Sequence, residues 1–164
     1  MLPKGLLMTL KPNFRAGVLL GASLALLAAL ASPVRAAQCD DIAKQLANGI
    51  DELKVNFRAA NTIYLTHPAA KELSLGCRGR HYSYELYAKG DRNPAPEFYA
   101  LVGLATAIVF TLPKDDTTTG ATRCLKRMGF LRGDKVTMRY RRLDMECTRT
   151  KTEAAIAISR GKDE

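Results

Sequence analysis

The 164-residue chain holds one domain of ordinary size with room for a real core, and its length argues against several. Lys and Arg number 25 against 16 Asp and Glu, a net charge of +9 that favours anionic partners. Its four cysteines include no C-x-x-C pair, which excludes a thioredoxin-like redox site and a zinc ribbon.

In chain order, residues 1–36 read first as a Sec-type signal peptide. Lys4, Lys11 and Arg15 make a positive start without an acid, and 16–31 is an uncharged apolar run. Pro33 breaks that run, and Val34-Arg35-Ala36 presents a cleavable end. The run falls short of the roughly 20 residues that a membrane anchor needs. Gln38 before Cys39 does not suit lipidation. Cleavage after Ala36 removes Lys4, Lys11, Arg15 and Arg35, leaving 21 basic and 16 acidic residues, a net +5. Residues 37–113 balance at eight of each sign, whereas 114–164 hold 13 basic and eight acidic residues.

The spacing of Ile42, Leu46, Ile50, Leu53 and Phe57 predicts an amphipathic helix over 39–58. β-Prone 62–66 predicts a strand that His67-Pro68 ends. Alternation then predicts strands over 72–77 and 82–88, joined by a turn at Arg78-Gly79-Arg80 and closed by a loop at Gly90-Asp91. Residues 98–112 carry no charge, start after Pro94, Pro96 and Glu97, and stop at Pro113. They predict a buried central helix, with Ala100, Gly103 and Ala107 as a seam for close packing. A polar loop is expected over 115–120, a short helix over 122–129, and a long strand over 135–148. Val136, Met138 and Tyr140 are one residue out of phase with Leu143, Met145 and Cys147, so a bulge is expected near Arg141 and Arg142. Residues 152–159 predict a covered strand hairpinned to it, and 160–164 a charged tail.

All four cysteines, Cys39, Cys77, Cys124 and Cys147, follow the signal, and an even number in an oxidising compartment points to disulfides. Leu73, Leu75 and Cys77 echo Leu143, Met145 and Cys147, each set lying downstream of a helical segment that starts near a cysteine. Four cysteines allow three pairings, and the echo is short enough to arise by chance; if it marks two α-β-β halves, each closes its own disulfide, Cys39–Cys77 and Cys124–Cys147. The whole reads as an α+β domain: a small antiparallel sheet packed on an N-terminal helix and a buried central helix.

Two basic groups stand out as binding residues. Arg78, Arg80 and His81 share one turn among tyrosines and offer forked hydrogen bonds to a carboxylate or phosphate. Arg139, Arg141 and Arg142 form the second concentration. No G-x-S-x-G, Gly-rich phosphate loop or metal-ligand spacing is present, so no cofactor or metal is expected. The expectation is an exported, periplasmic or secreted, non-catalytic module that recognises a protein or an anionic envelope component through a basic β surface. Nucleic acid is not expected in that compartment, nor is a stable membrane span after signal cleavage; the sequence sets no oligomeric state. The alternatives are a small hydrolase using carboxylates or His81, and an envelope protein that self-assembles through 98–112.

Overall fold

The computed structural model describes residues 33–78, 80–129 and 133–161, with the side chains of 33–36 and Tyr82 left aside. The expected signal lies outside the described residues except for the backbone of its last four. Gly79 of the expected turn and 162–164 of the expected tail also lie outside. The elements are α1 (Pro33–Gly49), β1 (Lys54–Ala59), β2 (Thr62–His67), β3 (Ala70–Cys77), β4 (Tyr82–Asp91), α2 (Pro96–Phe110), α3 (Lys114–Arg127), β5 (Lys135–Tyr140), β6 (Leu143–Arg149) and β7 (Glu153–Gly161). All seven strands join one antiparallel sheet, ordered β1-β2-β3-β4-β7-β6-β5. The expected C-terminal strand pair continues this sheet through β4 and β7 rather than standing apart.

Strand alternation puts every second residue on the helix-covered face. Leu73 and Leu75 on β3, Leu86 and Ala88 on β4, Ile156 and Ile158 on β7, and Leu143, Met145 and Cys147 on β6 are all buried. Leu46, Ile50, Phe98, Val102, Ala121 and Leu125 meet them from the helical side. Each large apolar side chain so buried contributes roughly 1.5–3 kcal/mol. Both disulfides tie this layer to the sheet: Cys39 on α1 to Cys77 on β3, and Cys124 on α3 to Cys147 on β6.

The echo of the two Leu-containing segments has a geometric counterpart. Leu75 pairs with Leu86, and Met145 with Ile158; Leu86 and Ile158 then pair with each other at the β4–β7 seam. This register relates β2-β3-β4 to β5-β6-β7 by an approximate two-fold between Leu86 and Ile158. The first half carries the extra strand β1.

Several expected boundaries move. The helix predicted over 39–58 stops at Gly49, because Glu52 is left-handed at φ 62° and the β-prone Val55 and Phe57 join the sheet. Phe57 therefore leaves the buried face and is 59% exposed. Gly90 and Asp91 extend β4 rather than closing it; Gly90 is buried where a Cβ would lie 2.9 Å from the Phe98 ring. The loop expected over 115–120 is the start of α3. Buried Thr117 fixes it, its Oγ1 donating to the Gly103 carbonyl at 2.7 Å and lying 2.8 Å from that of Lys114. No bulge is needed at Arg141 and Arg142, since they form a two-residue turn between separate strands, and Tyr140 pairs with Leu143 across it. Arg160 and Gly161 belong to β7 rather than to a tail.

Candidate functional site

The antiparallel order sends the β1–β2, β3–β4 and β5–β6 turns and the C-terminal end of β7 to one end of the sheet. Arg78, Arg80 and His81 are exposed there. Arg78 is left-handed at φ 79°; its N–H donates to the Ser83 carbonyl at 2.8 Å, and its carbonyl accepts from Asn61 Nδ2 at 3.4 Å. Arg141 and Arg142 lie at the same end, both left-handed, with φ 50° and 65°. Arg139 is one step down, on the open face of β5 opposite Asp144. The two basic groups of the sequence, far apart along the chain, thus share one rim.

Arg160 belongs to this rim too, although sequence reading assigned it to the tail. It points to the helical side, where its Nη2 donates to the Phe110 carbonyl at 3.0 Å and its guanidinium sits 5.7 Å from the Phe110 ring centre. A cation there meets the unsatisfied carbonyls and negative dipole end of α2. Arg149 does the same for α3, donating to the carbonyls of Leu125 and Met128. The alternation of β6 and β7 carried both signals: each arginine continues the buried-facing set of its strand.

Arg141, Arg142, Arg160 and Asp116 surround a hollow of about 560 Å³ floored by Phe110 and Leu112. Arg141 reaches Asp116 at 3.5 Å.

The opposite end of the sheet differs in charge. Lys71 pairs with Asp91 at 2.8 Å and approaches Glu153 at 3.9 Å; Lys89 pairs with Glu72 and approaches Glu153 at 3.6 Å. The hydrogen bonds to Asp91 and Glu72 hold these two ammonium groups above the ordinary lysine value. Nearby, a hollow of about 380 Å³ gathers Glu52, His67, Asp91 and Glu97 over Phe98. His67 Nδ1 accepts the Ala69 N–H at 3.1 Å, so that ring nitrogen is already engaged by the backbone.

On the face away from the helices, Tyr64, Ser74, Tyr87, Ala157, Glu146 and Thr137 form one cross-strand row. Phe57 stacks on Tyr64 with ring centres 4.6 Å apart, beside a shallow hollow of about 370 Å³. Among the described residues, no three His, Cys, Asp or Glu side chains come together as a metal site. Nor is any described helix long and apolar enough to cross a membrane. Compared with protein-family models, curated proteins and solved structures, the chain matches none.

Proposed function

We propose that the chain is an exported, non-catalytic binding module that engages an anionic partner, an acidic protein or an envelope component, through the basic rim of its sheet. One observation carries this reading: Arg78, Arg80 and His81 share a single end with Arg141 and Arg142, while at the opposite end Lys71 and Lys89 are held in ion pairs with Asp91 and Glu72. Clustered guanidiniums suit forked recognition of carboxylate or phosphate groups and raise encounter rates with anions. Two disulfides accord with an oxidising compartment.

The test is capture from envelope extract at low and high salt, by the chain and by a variant carrying R78E, R80E, R141E and R142E. A partner held at low salt, released at high salt and lost by the variant is expected; no salt-sensitive partner overturns the reading. Export is tested by sequencing the N-terminus after expression of the full chain. Ala37 is expected there, and an uncleaved product contradicts it.

A hydrolase reading has one observation in its favour, the meeting of His67 with Glu52, Asp91 and Glu97 in one hollow. It moves the imidazole from His81, an exposed turn residue that lines none of the hollows above, to His67. The engagement of Nδ1 by Ala69 ranks it second, because a nitrogen that already accepts a backbone N–H is not free to take a proton from water. Turnover of chromogenic ester or phosphate substrates that disappears in H67A would reverse the ranking.

A further inference from the structure

The 560 Å³ hollow between the C-terminal end of α2, the first turn of α3 and the β5–β6 turn has features of a built anion site. Its size lies in the range of small-molecule sites, although its wall is open to solvent. Three guanidiniums face one carboxylate, so the hollow keeps an excess positive charge after Arg141 has met Asp116. Arg142 makes no hydrogen bond or ion pair among the described residues. Arg160 is pinned by Phe110, and its buried Nε has no hydrogen-bond partner among the described residues. Phe110 and Leu112 add an apolar floor beside these donors.

The backbone supplies an independent argument. A two-residue hairpin turn with both φ values positive favours Asn-Gly, yet here two arginines occupy the left-handed positions. Long side chains at left-handed positions are a strain that folded proteins retain where the side chains are used. The geometry points to a binding site for an oxyanion, a phosphate or carboxylate, borne on an apolar stem, with the guanidiniums of Arg142 and Arg160 as its donors and Phe110 and Leu112 against the stem. This rests on the rim reading above and names the chemistry recognised at one part of it.

Titration of the full chain with hexyl phosphate, followed by amide NMR and calorimetry, tests the site. Saturable binding is expected, with shifts concentrated at 110–116, 141–143 and 158–161. Inorganic phosphate should bind at least tenfold more weakly, hexanol should not bind, and R142A should weaken hexyl phosphate at least tenfold. Substitution of Arg141→Asn with Arg142→Gly gives a turn that the backbone prefers, and loss of binding there with an otherwise unchanged amide spectrum is expected. Arg142-dependent binding to phosphatidic acid vesicles but not to phosphatidylcholine would identify a lipid headgroup as the source of the anion. Binding to hexyl phosphate alone would identify a soluble ester. Absence of saturable binding to both probes, or an R142A affinity within twofold of the parent, overturns the proposal. If hexyl phosphate and phosphatidic acid both fail while salt-sensitive capture by the Arg78–Arg80 side persists, only the hollow falls. If the capture fails as well, the rim reading falls with it.

Discussion

Arg141 and Arg142 show how one residue choice can work against stability. A left-handed conformation costs an L-residue roughly 1–2 kcal/mol, and glycine escapes that cost. The double substitution R141N/R142G should therefore raise stability by about 1 kcal/mol in urea unfolding while lowering anion affinity. A drop in stability would show that the arginines hold the turn rather than serve a ligand. Protonation gives a second residue-scale prediction. Burial raises the Tyr87 and Tyr99 phenols above the ordinary 10.0, and hydrogen bonds to Asp91 and Glu72 raise Lys71 and Lys89 above 10.5. Each group favours its protonated form more in the folded chain than in the unfolded one. Its contribution is complete below the ordinary value and is lost as pH rises through the raised value. Thermal melts should fall above pH 10, and absorbance at 295 nm should show late-ionising tyrosines. A single titration of every tyrosine at the ordinary value contradicts this. Composition marked the arginines of both basic groups, but Arg141 and Arg142 were expected in a bulge and not in the turn they form. Arg160 continues the buried-facing alternation of β7, yet its meeting with the end of α2 is a long-range contact that the strand alone does not mark.

Among the elements, α2 was readable almost to its ends, because Pro96 opens it and an uncharged run defines it. The start of α3 was hidden because its buried stripe begins with Thr117 and Gly120, small or polar residues that resemble a loop. Only the meeting of α3 with α2 reveals them: a Cβ on Gly103 would lie 2.9 Å from the Thr118 backbone Cα. Replacement of Gly103 by Ala should thus destabilise the chain by about 1–3 kcal/mol through overpacking, against Ala's better helix propensity. Urea unfolding measures it, and a neutral or stabilising result would mean that the two helices separate freely. The predicted first helix failed at Gly49 for a similar reason. Its 3-4-4 spacing continued through Leu53 and Phe57, but the register of β1 on β2 outweighed the pattern.

At the scale of the molecule, composition pointed to two disulfides but left three pairings open, and only the short echo of Leu73–Cys77 in Leu143–Cys147 singled out the pairing observed. The single sheet was not, since the pairing of β4 with β7 joins strands about sixty residues apart and nothing near either strand names its partner. The two disulfides close loops spanning 38 and 23 residues. Removal of either pair, as C39A/C77A or C124A/C147A, should cost roughly 3–4 kcal/mol, with the two losses comparable. A loss confined to one pair in denaturant titrations would show that the halves share the burden unequally. Each bridge joins neighbours in cysteine order, the first to the second and the third to the fourth, and each lies within its own half of the sheet. If the chain is exported as proposed, N-terminus first, consecutive pairing of this kind would let an oxidase that joins cysteines in order of appearance yield the native pairs, without a shuffling enzyme to correct them.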